Sequence, residues 1–268
     1  MGCIFEYPTA YPSPQRFFTR MAENEREASH RRTLAISDVR GDPSKDLKIK
    51  ACAGLLFMLL GMAALLFLTA QTLAYWQAWD LLAVFGASAL AITLYLMKKD
   101  TKLLERRVSA GPTAEKATSQ KIIQTITSVE FAAILVVSAL DHRFAWTSLP
   151  VIASLAGYAL VALGFLIIFF VYKENTFASA TIELAPEHKV ISSGLYRLVR
   201  HPMYMGALAL LAGMPLSLGS WWGLLVVALM VPALVWRLLD EENFLVKNLP
   251  GYTSYQRTVR HRLVPFIW

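Results

Sequence analysis

An all-α polytopic membrane protein is the fold class this sequence predicts, and three observations predict it. Of its 268 residues, 56% are hydrophobic and only 17% are charged, against about 25% charged in a typical soluble domain. The apolar residues gather in uncharged runs, such as Ala51 to Trp79 and His201 to Trp236. A helix needs only about 20 such residues to cross a hydrocarbon core. Lys and Arg, finally, collect on alternate connections between the runs, as topology in a membrane requires.

Residues 1–50 are polar and lack an apolar block, which predicts a cytoplasmic tail without a signal peptide. Gly2-Cys3 invites a lipidation reading, but Glu6 stands where myristoylation wants Ser or Thr. Residues 51–148 then hold the N-terminal membrane helices, and residues 149–268 the remaining helices with a C-terminal segment. The first span covers roughly Ala51–Ala74, followed by Tyr75, Trp76 and Trp79 as an interfacial aromatic belt. The second, about Leu81–Met97, is short. The third, Ile122–Leu140, is interrupted by Glu130. The fourth is roughly Leu149–Tyr172. After Arg200 the apolar run is too long for one helix and short for two. Pro215, Gly219, Ser220 and Gly223 mark its middle, which predicts a tight hairpin of two short spans, Met203–Leu216 and Trp222–Leu239, the second kinked at Pro232. The total is six spans.

The basic residues set the orientation. Lys98, Lys99, Lys102, Arg106, Arg107, Lys116 and Lys121 lie in the second connection. Lys173, Lys189, Arg197 and Arg200 lie in the fourth, and Arg237, Lys247, Arg257, Arg260 and Arg262 in the tail. The alternate connections hold only Arg143. Both termini and both basic connections are therefore expected in the cytoplasm. The net charge of +7 reads as topology and contact with anionic membrane lipids, so no nucleic-acid partner is predicted. Cys3 and Cys52 lack metal spacing, and the five histidines form no local metal-binding pair, so no metal is predicted. No Gly-rich phosphate-binding turn follows a strand-like segment.

Three stretches carry chemistry. Glu187-His188-Lys-Val-Ile-Ser-Ser-Gly194-Leu-Tyr196 precedes the hairpin, Arg200-His201-Pro202-Met203-Tyr204-x-Gly206 opens its first helix, and Arg237-Leu-Leu-Asp240-Glu241-Glu242 closes its second. A hairpin brings its open ends together, so a helix N-terminus, which favours anions, meets a carboxylate cluster. Pro202 fits the first turn, where its missing N–H is not needed. Glu241 and Glu242 suit ribose hydroxyls, an amine or a positive centre. S-adenosylmethionine offers a carboxylate, an ammonium, a ribose and a sulfonium together, although an amphiphilic zwitterion also fits.

These motifs, with Gly251-Tyr252-x-x-Tyr255 and Arg262-Leu-Val-Pro265 after them, resemble the isoprenylcysteine carboxyl methyltransferase family, membrane-embedded enzymes related to phospholipid methyltransferases. The resemblance covers roughly residues 150–268. It implies S-adenosylmethionine as cofactor, bound on the cytosolic face by His188, Lys189, Val190, Ile191, Tyr196, His201, Pro202, Met203, Tyr204 and Glu241, with Glu242 beside it. It implies that Arg237 positions a carboxylate acceptor, and it relates the Glu174-Asn175-Thr-Phe177 loop to the approach to the site. Residues 1–150 carry no matching motif, and the position where eukaryotic members place a cofactor-contacting glutamine falls near Thr181.

The implied activity is methyl transfer to a lipophilic acceptor such as a prenylated or lipid carboxylate. Phospholipid, amine or thiol methylation at the same cofactor site is the alternative, and a non-catalytic membrane scaffold is the reading from another class. Plainer roles remain open residue by residue. Arg197 is a basic span flank. Arg200 is a flank or a ligand contact. Arg237 is equally an i,i+4 partner of Glu241. Tyr252 and Tyr255 are structural lid residues. Asp141 and His142 are loop residues on the far side. Lys98 to Arg107 is a solvated, lipid-facing charge run. Glu130, a carboxylate in mid-span, is a functional residue or a protonated one bonded to a neighbouring helix.

Overall fold

Proline and glycine set where the helices begin and end. Pro150 sits in the extended N-cap position of one helix, Pro202 opens another at its first position, and Gly219 (φ +77°) and Gly251 (φ +86°) take the left-handed turns beyond two others. The computed structural model describes residues 25–27, 43–108, 117–178, 189–265 and 267–268. The chain divides into two units, residues 1–48 and 49–268. The fold of interest is the second.

Its helices are α1 (Pro43–Ala70, in this unit from Ile49 on), α2 (Trp76–Lys99), α3 (Thr101–Val108), α4 (Thr118–Phe144), α5 (Val151–Glu174), α6 (Pro202–Ser217), α7 (Trp221–Asn248) and α8 (Tyr252–Thr258), with a 3-10 turn at Gly194–Arg197. No strand occurs among the described residues. The predicted all-α architecture is what the chain adopts. Five helices (α1, α2, α4, α5, α7) are long and apolar enough to cross a membrane. The sixth expected span, α6, has 16 residues and so reaches only about 24 Å at 1.5 Å per residue, short of the roughly 30 Å hydrocarbon core. α7 runs unbroken through Pro232, and α2 gains length by including Asp80 exposed in its second turn.

The apolar surface is inverted relative to a water-soluble protein. Phe57 and Leu68 of α1, Leu166 of α5, and Leu229 and Trp236 of α7 all point outward. Exposed apolar faces of this extent are tolerable where the solvent is hydrocarbon, and the chain is an integral membrane protein by this reasoning. The main interior cluster joins Leu66, Leu81, Phe85, Ile134, Leu135, Val161, Met214 and Met230 from six helices.

Small residues let α5 and α6 touch backbone to backbone, as membrane helix pairs do where lipid gives no hydrophobic drive to association. Gly164 sits against the Gly206 carbonyl and the Leu210 backbone, and Gly213 against the Gly157 carbonyl. Gly206 therefore serves a helix contact. α4 lies along α7, and α2 joins through α5.

Far from the basic helix ends, a polar knot ties three turns. Asp141, 1% exposed, accepts from the Thr147 amide (2.8 Å), the Thr147 hydroxyl (2.7 Å) and the Ser220 hydroxyl (2.6 Å). The Ser220 oxygen also caps α7 by accepting from the Gly223 amide at 3.1 Å. Asp141, buried, and His142, half-buried, thus belong to the last turn of α4, which corrects their assignment to a loop. The reason lies about 80 positions away, in the Ser220 partner, where no local pattern could announce it. Tyr75 is corrected likewise: it is fully buried, donates to the Leu218 carbonyl at 2.9 Å and stacks on His142, while Trp76 and Trp79 remain exposed as expected of a belt. Asp141→Ala should strand these donors at a cost of about 2–4 kcal/mol. A Tm several degrees lower in detergent, with ligand binding at the opposite end retained, is the expected result.

Glu130 is half-buried on α4, and its Oε2 is enclosed without a hydrogen-bond partner among the described residues.

Candidate functional site

At the basic end the hairpin mouth forms as its sequence spacing requires. α6 starts at Pro202 and α7 carries Arg237, Glu241 and Glu242 in its last turns, so the two ends of the hairpin face each other. The Tyr204 hydroxyl donates to Glu241 Oε2 at 2.7 Å, and Arg237 shares a hydrogen bond with the same hydroxyl. Consecutive helix residues diverge by about 100°, so Glu241 and Glu242 face different surroundings. Glu241 lines a cavity, while Glu242 turns inward at 4% exposure.

Glu242 is a structural hub, which departs from its expected place beside a ligand. Its Oε1 accepts from Arg200 Nε at 2.6 Å and lies 3.2 Å from His201 Nε2, and its Oε2 accepts from Arg262 Nε at 2.9 Å. Arg200 continues to the Val259 and Arg260 carbonyls at 2.8 and 2.9 Å. The Arg200 and His201 amides donate to the His261 and Arg262 carbonyls, both at 2.9 Å. The C-terminal segment is thereby strapped across the start of α6. Arg200, open between flank and ligand contact, is the buried clasp of this strap and also lines the cavity. Arg197 is exposed, as a flank should be.

The cavity encloses about 430 Å³, within the range of small-molecule sites. Of the residues singled out from the sequence, Lys189, Val190, Ile191, Tyr196, Arg200, His201, Pro202, Met203, Tyr204, Arg237 and Glu241 line it. Glu242 does not, and His188 lies outside the described residues. Tyr252 and Tyr255 also line it, at 4% and 6% exposure, so they are walls of the site as well as packing residues. The loop after α5 contributes Asn175 and Phe177. Asn175 Nδ2 donates to the Tyr196 hydroxyl at 2.9 Å, while its Oδ1 accepts from the Phe177 amide at 2.9 Å. Ile168, Ala207 and Leu234 line the deeper part between α5, α6 and α7, with Thr127 of α4.

The phenols stay protonated. Burial pushes Tyr196 up to about 12, against the lowering effect of its Asn175 bond. Burial also raises Tyr252, with the Glu242 and Glu241 charges adding to it, and raises Tyr255, whose hydroxyl donates to the Tyr196 carbonyl at 2.7 Å. The Tyr252 hydroxyl is enclosed with no hydrogen-bond partner among the described residues, and so remains a donor for whatever fills the cavity.

Sequence reasoning missed further contributors from the N-terminal helices, besides Thr127. Gln120, 3% exposed at the start of α4, accepts from Arg237 Nη1 at 2.8 Å and donates to Asp240 Oδ2 at 2.9 Å. Arg107 of α3 lines the cavity. The run containing it is solvated only in part: Lys98, Lys99 and Lys102 are exposed as expected, whereas Arg106 and Arg107 are half-buried, because Leu103 and Leu104 are buried and dock α3 against the bundle. An apolar pair inside a charged octet was the available signal.

Residues 152–250 match the family model for phospholipid methyltransferase. The match falls on the segment whose motifs resemble the membrane methyltransferases, and it contains α6, α7 and most of the cavity wall. Membrane methyltransferase activity is what this family implies. No curated protein matches the chain.

Proposed function

We propose that this protein transfers the methyl group of S-adenosylmethionine to the carboxylate of a lipophilic acceptor, at the cytoplasmic face of its membrane. The observation that carries the reading is the Tyr204–Glu241 pair over a cavity inside the methyltransferase segment. The lining suits that cofactor. Glu241 offers a carboxylate to an ammonium or ribose, the orphaned Tyr252 hydroxyl offers a donor, and the rings of Tyr196, Tyr252 and Tyr255 offer faces to a cation. His188 to Ile191, Tyr196, His201 to Tyr204 and Glu241 are the proposed contacts. Glu242 holds them indirectly through Arg200 and His201.

Bound S-adenosylmethionine supplies a methyl carbon already activated by a sulfonium leaving group. One acceptor oxygen forms the new C–O bond while the C–S bond breaks, its electron pair stays on sulfur, and no proton is released. The protein then needs to orient the acceptor and exclude water. In this reading Arg237, held by Gln120, aligns the carboxylate through paired N–H donors. No general base is called for, because a carboxylate is ionised at neutral pH. That agrees with the lining, whose phenols outside the spans are held protonated and whose His201 Nε2 faces Glu242.

A phospholipid amine is the second reading, favoured by the description of the matching family. Incubation of membranes containing the protein with methyl-labelled cofactor separates the two. Base-labile volatile label in the lipid extract marks an ester, and base-stable label marks N- or S-methylation. Glu241→Gln should weaken cofactor binding roughly 10–100-fold, the worth of one charge-assisted hydrogen bond. Unchanged cofactor binding in both Glu241→Gln and His201→Ala would remove the basis of the proposal. The positions of Lys98, Lys173 and Arg237 support a cytoplasmic location for this end of the bundle, by the positive-inside rule. Accessibility of an introduced Cys at Lys189 to an impermeant thiol reagent, from one side only, tests that.

A further inference from the structure

The side-chain amide of Asn175 has only one way to sit. Asn175 caps α5, its backbone N–H donating to the Val171 carbonyl at 2.8 Å. The Phe177 amide, 2.9 Å from Asn175 Oδ1, can only donate, so the side-chain oxygen must face it, as in an Asx turn. The NH2 group is then left facing the Tyr196 hydroxyl at 2.9 Å. That group too can only donate, so the Tyr196 oxygen is the acceptor of the pair. The phenolic proton points away from Asn175, and no described residue accepts it. Tyr196 lines the cavity, so its hydroxyl is a donor for a ligand.

A second phenol offers the same. Tyr252, 4% exposed, has a hydroxyl enclosed without a partner among the described residues. The two phenols are held relative to each other. Tyr196 packs against the cluster of Leu249, Tyr252 and Tyr255, and the Tyr255 hydroxyl donates to the Tyr196 carbonyl at 2.7 Å. The Glu241 charge acts on both phenols. One cavity therefore presents two O–H donors and a carboxylate acceptor. A carboxylate and an ammonium on one carbon satisfy all three, and S-adenosylmethionine ends in that pair. A lone anion would face Glu241, and a lone cation would leave both hydroxyl protons orphaned.

We infer that Asn175 is a positioning residue that turns the Tyr196 hydroxyl into the cavity as a donor, so that Tyr196 and Tyr252 together hold the carboxylate at the amino-acid end of the cofactor. This rests on the S-adenosylmethionine reading above. The choice of Asn is the point of the device. Asp at 175 would still accept from the Phe177 amide, but its second oxygen would take the Tyr196 proton for itself. The phenol would then turn a lone pair toward the ligand carboxylate and repel it. Leu at 175 would leave the hydroxyl without a fixed direction.

The test uses the full chain purified in a neutral detergent, with S-adenosylmethionine and its decarboxylated counterpart as the two probes in calorimetric binding. Wild type should bind the first roughly 10–100-fold tighter, the effect of one or two charge-assisted hydrogen bonds. Asn175→Asp, which keeps the loop's own bond, should bring that ratio near unity. Asn175→Leu should lower it severalfold in the wild-type background and leave it unchanged in a Tyr196→Phe background, because the residue acts through that hydroxyl. Tyr252→Phe should lower it in both backgrounds. A wild type that binds neither compound overturns the S-adenosylmethionine reading itself. A wild type that binds both alike sinks only the present inference. An Asn175→Leu effect of equal size with and without the Tyr196 hydroxyl also overturns it, because Asn175 then does no more than hold its loop.

Discussion

Glu242→Ala should abolish methyl transfer and destabilise the protein by about 3–5 kcal/mol, although its side chain does not reach the cavity. The carboxylate joins Arg200, His201 and Arg262, and its removal leaves a guanidinium at 7% side-chain exposure without its counter-charge. Water cannot easily compensate at that burial, so the cost is that of an uncompensated buried charge rather than of one surface ion pair. The strap formed by residues 259–262 should detach from residues 200 and 201, and with it Tyr252 and Tyr255 lose their backing. Two measurements distinguish this from loss of a ligand contact. The Tm in detergent should fall in the absence of any cofactor, and limited proteolysis should cut early after Leu249. Glu241→Gln should change neither, while weakening cofactor binding. If Glu242→Ala keeps its Tm and loses only cofactor affinity, the carboxylate is a ligand contact and not a hub.

Adjacent glutamates with such different duties explain how much of the site was legible. Helix spacing and the uncharged run from His201 to Trp236 sufficed to place Tyr204, Arg237 and Glu241 at one mouth, because hairpin geometry is local in sequence. The same reasoning could not say which glutamate faces the cavity. That depends on the rotation of α7 against a C-terminal segment whose partners are set by Arg262 and by the carbonyls of Val259 and Arg260. Gln120 and Arg107 were hidden for a stronger reason. Their contacts span more than 90 positions, to Arg237 and Met203, and no periodicity records such distances. The spans themselves were the easiest part, since a run without charge announces them. Their ends were less so: Tyr75 and Asp141 look like interfacial and loop residues until Leu218 and Ser220 close on them.

Gly164→Leu should prevent folding, and even Gly164→Ala should cost about 2–3 kcal/mol. A Cβ at Gly164 would lie 2.6 Å from the Gly206 carbonyl oxygen and 2.7 Å from the Leu210 amide nitrogen. Both are backbone atoms of a continuous helix, so no rotamer change relieves the contact, and α5 and α6 must move apart. Such a shift carries the first turn of α6 with it, and that turn presents His201, Met203 and Tyr204 to the cavity. Activity should therefore fall further than stability in the alanine variant, because displacement of about 1 Å at a positioning element costs roughly a hundredfold in rate. Gly54 and Gly61 on α1 supply the control. Nothing lies within 4 Å of a Cβ at either position, so alanine there should be neutral or stabilising by up to about 1 kcal/mol through helix propensity alone. Tm and labelled-methyl incorporation in the three alanine variants decide the matter. A Gly164→Ala protein as stable and active as Gly54→Ala would mean that α5 and α6 do not rely on backbone contact to hold the site.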